Sequence, residues 1–278
     1  MSASASTTQD ARPIGVFDSG VGGLSVLRAI RDELPAESVL YVADSGFAPY
    51  GDRSERYIEA RAHALVEFLQ REGAKAVVVA CNTVTSVAVA ALRSRFNLPI
   101  VAIEPAIKPA VAASASRVVG VLATSVTLAS PNVNKLVNAH GSGVDVIMQA
   151  CPGFVELVER GTLDGGEAVA VVERHVRPVL ARGADTLVLG CTHYPFLAPV
   201  IRAVAGPEVA ILDPSGPVAR ELRRRLAAAG LLAPEGRAAT ERFVTSGRPE
   251  QVAAVMRQLW SHPVAVEPLP AAYCATPR

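Results

Sequence analysis

The chain has 278 residues, half of them hydrophobic, and 27 basic against 26 acidic side chains leave a net charge of +1. That length suits one large domain or two α/β lobes, since a domain commonly takes roughly 100–200 residues. The scattered charge, clustered only at Arg223-Arg224-Arg225, forms no basic stripe for nucleic acid, and no apolar run reaches the roughly 20 residues that span a bilayer.

From Met1 to Asp10 the chain is polar and rich in Ser, Ala and Thr, without the hydrophobic segment of a signal peptide. Residues 1–12 are therefore expected to be a flexible tail on a cytoplasmic protein. Ile14 to Phe17 is a short apolar run ending in Asp18-Ser19-Gly20, and Leu24, Leu27, Ile30 and Leu34 follow at helical spacing. Val39 to Val42 closes on Asp44, and Ile58, Ala62, Leu65 and Leu69 then share a helical face. Ala76 to Ala80 is uniformly apolar, as a strand buried on both faces of a parallel sheet should be. Strands are predicted again at Val118–Leu122, Val144–Ile147, Thr186–Leu189, Val209–Leu212 and Phe243–Thr245. The clearest later helices are predicted over Glu167–Ala181, Pro217–Ala229 and Gln251–Trp260. This alternation is that of a βαβ protein. The Pro-rich end after His262 is expected to be a loose tail.

The chain also echoes itself. Val77-Val78-Val79-Ala80-Cys81-Asn82-Thr83 and Leu187-Val188-Leu189-Gly190-Cys191-Thr192-His193 share one form: apolar strand, small residue, Cys, polar side chains. Upstream of each, a strand ends in hydroxyl-bearing residues, Asp18-Ser19 and Thr124-Ser125. Such self-similarity predicts two related lobes facing one another, with both cysteines at a shared cleft. The four cysteines show no C-x-x-C spacing, so neither a zinc site nor a disulfide framework is indicated. Packing as a small buried residue is the plain reading for Cys151 and Cys274.

Cys81 and Cys191 invite a second reading. Open α/β sheets bind ligands beyond the carboxyl ends of their strands, where Asp18, Cys81, Thr124 and Cys191 all fall. Asn82, Thr83, Thr85 and Ser86 beside one thiol, and Thr192 and His193 beside the other, could hydrogen-bond a small amino acid or a thiolate. Two thiols across a cleft suit inversion of a carbon centre: one takes a proton from one face while the other delivers a proton to the opposite face. Asp18 and His193 could hold or relay those protons, or serve only as loop residues.

Four segments in order carry a resemblance: Phe17-Asp18-Ser19-Gly20-Val21-Gly22-Gly23-Leu24, Pro49-Tyr50-Gly51, Ala80-Cys81-Asn82-Thr83 and Gly190-Cys191-Thr192-His193-Tyr194-Pro195. Together they resemble the glutamate racemase family of bacterial cell-wall synthesis, over most of the chain from about Ile14 to Trp260. The resemblance implies an isomerase with two similar doubly wound, flavodoxin-like α/β lobes of parallel strands and the active site in the cleft between them. It implies no cofactor, neither pyridoxal phosphate nor metal. Residues 13–99 with 213–262 would form the first lobe and 100–212 the second, leaving 263–278 as the loose tail. Cys81 and Cys191 would be proton donor and acceptor. Asp18, Ser19, Pro49, Tyr50, Gly51, Asn82, Thr83, Thr192 and His193 would be substrate contacts, with Thr124 a further one, and Glu159 would assist the His193 side. Glutamate is the implied substrate and a homodimer the implied assembly. A second activity of some members, inhibition of DNA gyrase, is left open.

The sequence departs from the family pattern at Val84, Val133, Ser125-Val126 and the loop Ser45-Gly46-Phe47-Ala48, which lacks the basic residue many members carry. Aspartate racemases share the fold and both cysteines, so an aspartate or broader racemase is the near alternative. A remoter one is a dinucleotide-binding protein, because Gly20-Val21-Gly22-Gly23 follows a strand and Asp44 ends the next. Ser25 there replaces the third glycine. A pyridoxal-phosphate enzyme needs a Schiff-base lysine, and neither Lys75, Lys108 nor Lys135 sits in a suitable pattern. A non-catalytic regulatory relative would have no need of both thiols.

Overall fold

The computed structural model describes residues 10–260 and 262–275. The first four strands, β1 (Ile14–Asp18), β2 (Val39–Ala43), β3 (Ala76–Val79) and β4 (Ile100–Ala102), alternate with helices, and so do β5 (Val118–Ala123), β6 (Asp145–Ala150), β7 (Thr186–Leu189) and β8 (Ala210–Leu212). Two more, β9 (Glu241–Thr245) and β10 (Val266–Pro268), extend the first sheet. The sheets run β10-β9-β2-β1-β3-β4 and β6-β5-β7-β8, and every pairing is parallel. Within each, the first strand lies between the second and third, so β2-β1-β3-β4 and β6-β5-β7-β8 are one topology used twice. The repeated motif noticed in the sequence is this repeated doubly wound lobe.

Parallel strands buried on both faces must be apolar throughout, and β1, β2, β3 and β7 are buried along their whole length. The flanking helices bury one stripe each. Helix Leu24–Glu33 buries Leu24, Leu27 and Ile30 and packs on helix Ser215–Ala228. Helix Glu55–Arg71 starts where the Ser54 hydroxyl accepts the Tyr57 N–H at 3.3 Å. One hydrophobic core runs through both lobes, from Leu24 and Tyr41 through Phe154 and Tyr194 to Leu222 and Met256. Separate cores lie on the far sides of the two sheets.

Three expectations need correction. The end of the chain is not loose: Val266, Glu267 and Pro268 pair with Phe243, Val244 and Thr245, and the Leu269 N–H donates to the Thr245 carbonyl at 2.6 Å. A Pro at the edge of a sheet costs no ladder bond when its missing N–H faces outward, so Pro-richness misled. Ile100–Ala102, assigned by sequence to the second lobe, pairs with Val77–Val79 of the first sheet. Finally, of the expected tail 1–12, residues 1–9 lie outside the described residues, while Asp10 is tied down. Its carbonyl accepts from Lys75 Nζ at 2.6 Å, and Lys75 also forms a buried pair with Glu37 at 2.6 Å. No described helix is long and apolar enough to cross a membrane.

Candidate active site between the lobes

A doubly wound sheet opens a crevice where its strand order reverses, beyond the carboxyl ends of the first and third strands. Ser19 and Cys81 flank that point in the first lobe, after β1 and β3, and Thr124 and Cys191 flank it in the second, after β5 and β7. The crevices face each other and form one cavity. Its wall contains Ser19, Pro49, Tyr50, Gly51, Cys81, Asn82, Thr83, Thr124, Cys191, Thr192 and His193. Both thiols are buried, Cys81 with 4% and Cys191 with 8% of its surface exposed, and both are free.

Hydrogen bonds close the cleft from both sides. Thr83 Oγ1 meets Thr124 Oγ1 at 3.1 Å and Thr127 Oγ1 at 3.3 Å. Ser25 Oγ donates to the Thr192 carbonyl at 2.9 Å. The Val21 N–H donates to Glu159 Oε1 at 2.7 Å.

Around Cys191, His193 Nδ1 lies 3.7 Å from the sulfur and His193 Nε2 lies 2.6 Å from Glu159 Oε1. Burial opposes a charge on this imidazole, but Cys191, Glu159 and Asp18 more than offset it, so His193 holds its proton well above the usual histidine range. Around Cys81 the only side-chain hydrogen-bond partner among the described residues is a hydroxyl, Ser19 Oγ at 3.7 Å. Burial and then the Asp18 carboxylate push the Cys81 thiol up, which favours its protonated form.

Asp18 lies beneath the wall. It accepts the Gly23 N–H at 2.7 Å and faces the hydroxyls of Ser19 and Thr192, each at 3.4 Å. Complete burial raises its carboxyl, against the pull of His193. Glu159 also stands behind the wall and meets the cavity-lining His193. Asn82 is buried, and neither its amide oxygen nor its nitrogen has a partner among the described residues. A buried amide without partners is costly, and a polar ligand in the cavity would relieve it.

The glycine-rich turn proves to serve this pair. A Cβ on Gly22 would stand 2.2 Å from His193 Nδ1, and one on Gly20 1.8 Å from Glu159 Oε1. The glycines let the His193–Glu159 pair approach the turn, occupying the space a pyrophosphate would need. Asp44, the ribose partner of the nucleotide reading, is instead buried against Arg61, 2.7 Å away. Both observations remove that alternative. No lysine lines the cavity.

Sequence reasoning missed Ser125 and a wall formed by Cys151, Pro152, Val155 and Glu156. This segment follows β6, the second strand of its lobe, just as Pro49-Tyr50-Gly51 follows β2. The lobe repeat was the signal that could have found it. Burial and Cys191 push the Cys151 thiol up, so it stays protonated.

Two facing lobes that share one strand order, with a buried thiol at the switch point of each, have the architecture expected of an amino-acid racemase. The Asp/Glu/Hydantoin racemase family model matches residues 14–245, and the chain belongs to that family. Its relatives narrow the assignment to the glutamate racemases. The glutamate racemase of Methylococcus capsulatus is 53% identical over 268 residues, covering 96% of this chain and 99% of that protein. A glutamate racemase isoform from Bacillus anthracis superimposes with a TM-score of 0.86 at 32% identity, covering 94% of this chain and 98% of its own. The Escherichia coli glutamate racemase, solved with L-glutamate and the activator UDP-MurNAc-ala, does so with a TM-score of 0.82 at 33% identity, covering 93% and 98%. The protein is thus an isomerase of the glutamate racemase type.

Proposed function

We propose that the chain interconverts L- and D-glutamate by exchanging the α-proton between Cys81 and Cys191. One thiolate removes the proton from one face of the α-carbon, and the opposite thiol protonates the carbanion from the other face. The pair exchanges roles between enantiomers. The presence of both buried thiols in the wall of one cavity is the observation that carries this reading.

Each neighbour then takes a role. His193, positive and held by Glu159, stabilises a thiolate at Cys191 and can return a proton to it. Asp18 acts through Ser19 and Thr192, holding the hydroxyls that face the substrate. The unpartnered Asn82 amide, with Thr83, Thr124 and Thr192, binds the amino-acid head group. Pro49-Tyr50-Gly51 forms the wall for the side-chain end. The product D-glutamate would supply peptidoglycan synthesis in the cytoplasm, and the chain would work as a homodimer, a state that sedimentation would test.

The test is optical. Purified protein with D-glutamate in deuterated buffer, without added cofactor, should bring the circular dichroism to zero while deuterium appears at the α-carbon. A signal that stays flat with D-glutamate but decays with D-aspartate would overturn the substrate assignment and keep the chemistry.

A further inference from the structure

The loop that brings Pro49, Tyr50 and Gly51 into the cavity is fastened from behind. The Tyr50 hydroxyl donates to Asp44 Oδ2. Arg61 grips the same carboxylate twice, through Nε to Oδ2 at 2.9 Å and Nη2 to Oδ1 at 2.7 Å. Both charged side chains are shielded from water, with at most 1% of either exposed. The guanidinium carbon also lies 3.7 Å from the centre of the Phe47 ring, in the same loop. Arg61 thus reaches the loop from the neighbouring helix Glu55–Arg71.

One more guanidinium nitrogen points the other way. Arg61 Nη1 donates to the carbonyls of Tyr273 at 2.6 Å and Ala275 at 3.3 Å. The planar fork of an arginine can serve both ends at once. The receiving segment is itself anchored: β10 pairs with β9, the Tyr273 ring packs edge-on against Phe68 at 5.3 Å, and Arg71 lies over that ring at 5.9 Å. A chain of contacts therefore runs from the C-terminal segment through Arg61 and Asp44 to Tyr50 in the cavity wall. If the segment loosened, a buried guanidinium would be left with unsatisfied donors. Moving toward water would relieve it, and Asp44 and Tyr50 would follow.

We infer that Arg61 is a positioning residue for the substrate, and that the C-terminal segment 266–275 sets the cavity's affinity by holding it. This rests on the reading of the cavity as the glutamate site. Among the described residues no hydrogen bond of the network reaches Cys81 or Cys191. Its effect therefore falls on binding and leaves proton transfer alone.

Steady-state kinetics on full-length Tyr273→Ala, Arg61→Lys and the double variant would test it. Tyr273→Ala should raise KM for D-glutamate about 5- to 10-fold while kcat stays within about twofold. Arg61→Lys should do likewise, and the double variant should be no worse than the poorer single, because both break one chain of contacts. An unchanged KM in folded Tyr273→Ala, or effects that multiply in the double variant, would overturn the inference. Should Tyr273→Ala fail to fold, Arg61→Lys carries the test, since it keeps the charge and loses the fork: a raised KM is expected, and a wild-type KM overturns the inference. The wild-type control separates the two readings. A wild type silent with D-glutamate sinks the substrate assignment, whereas an active wild type with unmoved variants sinks only the C-terminal clamp.

Discussion

Cys81 and Cys191 end equivalent strands of equivalent lobes, yet they keep different company. Cys81 meets a hydroxyl, with a buried carboxylate beyond it that discourages a second negative charge. Cys191 meets a positive imidazole backed by Glu159. The backbone is repeated and the electrostatics are not. A two-thiol exchange needs one thiol and one thiolate at the start, and a symmetric pair would have to divide one proton between two like sites. The asymmetry favours the proton on Cys81, where burial and Asp18 oppose a charge, and sets the protonated His193 imidazole beside Cys191.

The most severe way to break the comparison is to remove either sulfur. Cys81→Ser and Cys191→Ser should each lower kcat by at least about 10³-fold, because a serine hydroxyl cannot act as a base at neutral pH, while thermal unfolding shows an intact fold. Full activity in either variant would end the two-thiol mechanism. Alkylation should inactivate the wild type, and bound glutamate should protect it. Next in size, Gly22→Ala places a methyl group on His193. Turnover should fall by about 10²-fold if a displaced imidazole costs what losing an acid–base partner does, with some loss of stability from overpacking.

Glu159→Gln sharpens the comparison by touching only the Cys191 side. Glu159 helps His193 keep its proton, so its neutral replacement lowers the histidine pKa. If the charged form is the active one, kcat/KM falls as pH rises through that pKa, and the alkaline limb moves to lower pH in the variant. Stability carries the same sign. A histidine whose folded pKa lies above its unfolded value near ~6.5 contributes fully below that value and loses its contribution as pH rises through the folded one. Superimposable pH profiles for the two proteins would remove Glu159 from the mechanism. The smallest effect is expected for Cys151→Ala, which trims a cavity wall without removing an acid or base: kcat within about threefold, and stability lower by about 1 kcal/mol for the lost volume. A collapse of kcat in that variant would mean a third thiol takes part.

Much of this was legible in advance because strand ends are legible. An apolar run followed by Asp18-Ser19 or Cys81-Asn82 puts those residues at a sheet's carboxyl edge whatever the details, and there the structure places them. Glu159 is a different case. It lies 34 residues from His193 with no local pattern to join them, and here only family likeness pointed to it. The lining role of Cys151 and Pro152 went unread because a short apolar strand before them looks like any other, until it is counted as the second strand of a repeat. Val266–Pro268 was misjudged because edge-strand pairing leaves almost no local signature, and prolines are tolerated at an edge where they would be excluded from the centre.

The linear order of residues fixes the alternation of strand and helix, the duplication of a strand–Cys unit and the residue types available for proton exchange. Those follow from periodicity and from chemistry within a few positions of each cysteine. Packing is what brings His193 and Glu159 to the glycine turn, gives the two thiols different surroundings, and lets Tyr273 and Ala275 reach Tyr50 through Arg61 and Asp44. Each of these depends on groups far apart in the chain meeting in a buried place where water cannot screen them, and such meetings are made by packing alone.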